Sequence, residues 1–227
     1  PLIVRTRGHR LEGMWHAGSP MGMILNSLKG MLVLTPRNMV QASGMYNTLM
    51  SCTDPALIVE PLNAYRLKEK EPLNLGEFTV PLGKIEIINP GTDITVVSYG
   101  STLKLVEKTI PELERNNINI ELIDIQSLIP FDLNKDTVES IKKTNKLLIV
   151  DEDYPGGASS FILKVLIEDH NGFKYLDSKP ITLTAKEHRT PYGSDGDYFS
   201  KPSIDDIFEA CYRCLLYTSD AADEHSW

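Results

Sequence analysis

The stretch RTRGHRLEGMWHAGSP (5–20) gathers Arg5, Arg7, His9, Arg10 and His16 around Trp15, between an apolar run and a helical pattern. Ligands of α/β sheets bind at the carboxyl ends of strands, which is where such a loop lies. His16, just before a helix start, could donate a hydrogen bond or shuttle a proton near neutral pH. The same composition also reads as a surface loop with solvated histidines. A second candidate is IVDEDYPGGASS (149–160), where a strand ends in Asp151, Glu152 and Asp153 and turns through Gly156-Gly157 into a helix. The helix start favours an anion, but three carboxylates repel one, so a packing turn competes with that reading. A third is KEHRTPYGSDGDYFSKPS (186–203), rich in turn formers. Loops this long are often functional, and Tyr192, Tyr198 and Phe199 could form a partner patch or simply line a meandering surface. Cys52 with Asp54 offers a weak ion site against the commoner reading of a packed thiol.

Other chemistry is missing from the sequence. It has no GxGxxG turn opening a helix, no GxxxxGK[ST] loop and no GxSxG elbow, so the phosphate-cradling and nucleophile-elbow signatures are absent. The histidines and cysteines show no zinc-type spacing.

These loops need elements to position them. Short apolar runs alternate with amphipathic stretches, the signature of βα units and a mostly parallel sheet. In the first part, PLIVRT, MLVLTP and ALIVEP read as strands. Helices are expected over 21–28, with Ser19-Pro20 as cap and first turn, and over 39–52, capped by Asn38. Residues 62–83 collect Lys68, Glu69, Lys70 and Glu71 with Pro72, Gly76, Pro81 and Gly83, which reads as an exposed connector. A second series follows: strands over 83–91, 93–100, 119–130, 146–153 and 180–187, with helices capped by Ser101, Asp132 and Ser203 and one over 158–169. Four βα repeats imply a five-stranded, mostly parallel sheet.

The 227 residues suit more than one domain, with 41% hydrophobic and 24% charged residues and a net charge of −8. That balance argues against disorder, a membrane span and a phosphate-binding nucleic-acid surface. Three cysteines argue for reduced, buried thiols over a disulfide framework. The chain opens on Pro1 within an apparent strand, which reads as an amino-terminal truncation. CLLYTSDAADE (214–224) matches one frame of a sequencing adapter, so 214–227 is expected to be a non-native tail.

Taken in chain order, PLIVRT, HAGSP, DPALIVEPLNAYR, VPLGKIEIINPGTDITVVSYG, IELIDIQSLIPFD, TNKLLIVDED with GGASS, and HRTPY form a series across 1–213. With Glu60-Pro61 and Tyr99-Gly100 at strand ends, it resembles the β subunit, or the β half of a fused α–β form, of a thiamin-diphosphate-dependent 2-oxo acid dehydrogenase of pyruvate or branched-chain type. The resemblance implies an α/β fold. Residues 1–62 would be the latter part of a pyrimidine-binding domain, 63–83 a linker, and 84–213 a transketolase C-terminal-type domain. It implies oxidative decarboxylation of a 2-oxo acid with acyl transfer to a lipoyl group. Thiamin diphosphate and magnesium would be held largely outside this chain, which alone would be inactive. Implied partners are the α subunit or α half and the dihydrolipoyl acyltransferase core, in a dimer or heterotetramer of the cytoplasm or mitochondrial matrix. His16 aligns with the histidine of the family's H-S-Q pattern, which implies a catalytic role in lipoyl positioning and proton transfer. Ala17-Gly18 replaces the usual Ser-Gln. The resemblance also makes Asp195, Asp197, Asp205 and Asp206 a candidate patch for a basic docking domain. A transketolase or deoxyxylulose-phosphate synthase relative, or a non-catalytic α/β assembly domain, are the alternatives.

Overall fold

Two apolar runs, ALIVEP and ITVVS, are buried along their whole length, as strands covered on both faces must be. They anchor the two sheets of the computed structural model, which describes residues 2–9, 19–193 and 195–223. The first sheet has the order β1-β3-β2-β7. Its strands are β1 (Ile3–His9), β2 (Leu32–Leu34), β3 (Ala56–Pro61) and β7 (Ser127–Ile129). The first three are mutually parallel, and β7 runs antiparallel to β2. The second sheet has five strands in the order β4-β6-β5-β8-β9. These are β4 (Glu86–Asn89), β5 (Ile94–Ser98), β6 (Ile120–Asp124), β8 (Leu147–Val150) and β9 (Ile181–Leu183). All are parallel except the edge strand β4. The α/β class and the mostly parallel five-stranded sheet are thus as expected.

One expected strand divides into two. Within 119–130 the chain leaves β6, turns through Gln126 at φ 58, and enters β7 in the other sheet. The second unit therefore lends a strand to the first.

The helices are α1 (Met21–Ser27), α2 (Met39–Met50), α3 (Leu103–Arg115) and α4 (Asp136–Thr144). They continue with α5 (Ala158–Lys164), α6 (Gly196–Ser200) and α7 (Ile204–Asp223). Asn38 caps α2, its Oδ1 accepting from Gln41 N at 2.7 Å. Asp132 accepts from Asp136 N and Thr137 N at 2.8 and 2.9 Å and so holds the start of α4. Ser203 and Asp206 exchange bonds at the start of α7, Ser203 N to Oδ2 at 2.9 Å and Asp206 N to Oγ at 3.1 Å, a reciprocal capping box. Each cap contributes about 1 kcal/mol, against about 1.5–3 kcal/mol for one fully buried Leu or Ile, so packing dominates.

One core cluster joins the two units, with Met21, Val33 and Leu57 packed among Val97, Ile123 and Ile149. A second lies between the five-stranded sheet and helices α3 and α7. Helix α7 runs on past residue 213. Ile207, Ala210, Cys211 and Cys214 continue one apolar stripe at helical spacing, and Cys214 is only 3% exposed. The connector is not exposed throughout. Phe78 and Val80 lie against Gly44 of α2, where a Cβ would stand 2.4 Å from the Phe78 ring. Val80 N also bonds to Thr48 Oγ1 at 3.1 Å.

Candidate functional site

Strand β1 carries Arg5 and Arg7 toward the loop that holds His16. Residues 10–18, and with them His16, Arg10 and Trp15, lie outside the described residues. What borders that loop is described. Arg7 pairs in register with Glu60 on β3. Glu60 is fully buried and 3.7 Å from Arg5 Nε. It accepts the Tyr46 hydroxyl at 2.6 Å and also the Tyr65 hydroxyl. Burial, then the Glu60 hydrogen bond, pushes Tyr65 up to about 12 and raises Tyr46 further, so both phenols stay donors. On the far side of the loop, Met21 N bonds to Ser19 Oγ at 3.3 Å as α1 begins.

The second candidate meets the first across the molecule. Asp153 Oδ2 accepts from Gly22 N, in the first turn of α1, at 2.8 Å. Asp151 is fully buried and accepts from the Tyr99 hydroxyl at 2.5 Å, Ser159 N at 2.8 Å and Asp153 N at 3.0 Å. Burial raises its pKa to about 6, against the opposing pull of the Tyr99 and backbone donors. Burial likewise raises Asp153. These carboxylates occupy the helix start and tie β8, α5 and α1 together. They close the turn to an exogenous anion, and the packing reading of 149–160 holds. The approach is tight: a Cβ on Gly157 would fall 2.3 Å from Asp153 Oδ2.

The third candidate contains α6, a helix its turn-rich sequence did not announce. Tyr192, Tyr198 and Phe199 are exposed at 81%, 58% and 54%. Lys186 Nζ sits 3.9 Å from the Phe199 ring centroid, a cation–π contact. The acids nearby are partly engaged within the chain: Tyr198 donates to Asp205, Ser203 binds Asp206, and Lys201 lies 3.4 Å from Asp197. Cys52 bonds back to the Thr48 carbonyl at 3.4 Å, consistent with a packed thiol.

One cluster escaped sequence reasoning. Arg37 Nη1 donates to the buried Asp124 at 2.7 Å and to Glu86 at 2.6 Å. Gln41 Nε2 reaches Asp124 at 2.9 Å and Gln126 Oε1 at 2.8 Å. Burial raises Asp124 even so. Its only sequence signal is an acid ending the apolar strand IELID.

Among the described residues, no group of three or more His, Cys, Asp and Glu could hold a metal ion. Glu60, Asp124, Asp151 and Asp153 are already engaged by hydroxyls, amides or Arg37. The described residues therefore offer no magnesium site. No helix among them is long and apolar enough to cross a membrane.

The chain is 28% identical over 211 residues to the Acholeplasma laidlawii protein named pyruvate dehydrogenase E1 component subunit beta, covering 91% of this chain and 62% of that protein. It is 32% identical over 190 residues to the protein of the same name in Mesostigma viride, covering 83% and 57%. It is 29% identical over 213 residues to the mitochondrial 2-oxoisovalerate dehydrogenase subunit beta of Chaetomium thermophilum, covering 92% and 44%. The chain thus spans less than two-thirds of each relative. A solved structure described as a split gene transketolase, inactive beta4 tetramer, shares the fold at TM-score 0.74 and 18% identity, covering 95% of this chain and 67% of that one. The family model for the transketolase C-terminal domain matches residues 83–200. That is more than half of the chain and takes in every strand of the five-stranded sheet, ending just before α7; by this unit the chain belongs to the transketolase C-terminal domain family.

Proposed function

We propose that the chain is the β portion of the decarboxylating component of a 2-oxo acid dehydrogenase complex, which passes an acyl group to a lipoyl carrier. The observation that carries this reading is the continuous likeness to β subunits of pyruvate and 2-oxoisovalerate dehydrogenases across both structural units, over 91% and 92% of the chain. The α subunit or α half would bring the thiamin diphosphate and magnesium site, and the acyltransferase core would receive the acyl group. The units are proposed as residues 1–62, a linker over 63–83 and a domain over 84–213, followed by a non-native tail over 214–227, with assembly into a dimer or heterotetramer.

His16 is proposed to position the lipoyl group and assist proton transfer during acylation. It lies between the end of β1 and the start of α1, the arrangement in which strand-end loops meet ligands. The test is His16→Ala in the assembled component. Lipoyl acylation should fall at least tenfold more than decarboxylation measured with an artificial electron acceptor. Equal loss in both assays would reject this role.

A further inference from the structure

A cleft of about 830 Å³ opens between the carboxyl ends of β1 and β3 and the amino-terminal half of α3. That size lies within the roughly 300–1,000 Å³ of small-molecule sites. Cations from three elements line it: Arg7 near the end of β1, Arg66 closing the 3-10 turn Leu62–Arg66, and Lys104 and Lys108 on α3. Among the described residues that line it, none is acidic. Lys104 has a carboxylate partner, Glu69, at 3.5 Å. In a chain of net charge −8, four cations around one cleft run against the composition.

Two further observations point to a ligand. Ser101 lines the cleft at the turn that opens α3, and the residue is 4% exposed. Its hydroxyl is buried with no hydrogen-bond partner. Sequence reasoning assigned this serine to capping α3, yet no side-chain bond caps that helix. Asn63 also lines the cleft, and its buried Oδ1 is likewise without a partner. Buried polar atoms are almost always satisfied, so the Ser101 hydroxyl marks a place for an anionic ligand oxygen, and the Asn63 acceptor a place for a donor, such as a hydroxyl, on the same ligand. Lys104 and Lys108 lie four residues apart on one face of α3, with Ser101 in the turn just before it, and the helix start adds partial positive charge.

We propose that this cleft binds a phosphate-bearing small molecule. Arg7 and Arg66 supply planar guanidinium donors, Lys104 and Lys108 supply point charges, and the Ser101 hydroxyl donates to a phosphate oxygen. Multiple cations with fork geometry suit a multiply charged phosphate better than a single carboxylate. This assignment does not depend on the dehydrogenase reading, because binding is measured without turnover.

The test is calorimetric titration of the full chain with inorganic pyrophosphate, with acetate alongside. Saturable pyrophosphate binding at least tenfold tighter than acetate is expected. Arg66→Gln with Lys108→Gln should weaken it at least tenfold, as should Ser101→Ala. Arg66 and Lys108 are exposed, so their variants should fold even if the serine variant does not. Absence of binding at millimolar pyrophosphate, binding that the exposed-site variants leave unchanged, or equal affinity for acetate would each overturn the proposal.

Discussion

Asp151 illustrates how burial can invert the usual behaviour of a carboxylate. Its folded pKa is raised to about 6, above the ordinary aspartate value, because desolvation outweighs the three donors it accepts from. The folded state therefore holds this proton more tightly than the unfolded chain does. As pH rises through the interval from about 4 to about 6, the residue's contribution to stability falls, then stays constant above it. At about 1.4 kcal/mol per pKa unit, the change is on the order of 3 kcal/mol. Asp151→Asn removes this dependence. Urea denaturation of both proteins from pH 4 to pH 7 should show the wild type gaining on the variant as pH falls. A paired carboxylate with a depressed pKa would give the opposite slope. At this scale the sequence displayed the three acids of IVDEDY but not their assignments. The partners Tyr99, Gly22 and Ser159 come from other elements, and nothing in the local pattern selects them.

Between elements, the glycine turn after β8 sets how closely α1 and α5 approach. Gly157→Ala would place a methyl 2.3 Å from Asp153 Oδ2. Asp153 is 3% exposed and holds Gly22 N at 2.8 Å, so the carboxylate cannot move aside without releasing α1. The substitution should destabilise by about 1–3 kcal/mol, the usual range for overpacking, read as a lower urea midpoint with unchanged slope. A neutral outcome would mean that α1 is not held through this carboxylate. Elements defined by local chemistry were legible beforehand: Asn38, Asp132 and Ser203 all engage the helix starts at which their types pointed. Ser101 was not, because a 3-10 turn over Gly100–Thr102, entered through Gly100 at φ +58, intervenes before α3. The turn displaces the serine from the capping geometry.

At the scale of the molecule, the two units are joined by the strand β7 that the second lends to the first, a shared core and a buried ion pair. Sequence periodicity identified both α/β units, but it could not show β7 crossing into the first sheet, since SLI reads as the continuation of the strand before it. The same crossing brings Asp124 and Gln126 up to Arg37 and Gln41 of the first unit. Arg37 Nη1 lies 2.7 Å from Asp124, whose side chain is fully buried. Removing one partner of such a pair leaves a carboxylate without its counter-charge, which typically costs about 3–5 kcal/mol, while the intact pair contributes much less. Arg37→Met should therefore be strongly destabilising. Asp124→Asn should be milder, because Arg37 keeps Glu86 at 2.6 Å. The double variant should be more stable than the sum of the single effects by at least about 1 kcal/mol, the signature of directly coupled residues. Chemical denaturation of the four proteins completes the cycle. Strict additivity would show that the ion pair does not couple the units, and would leave their association to the shared apolar core.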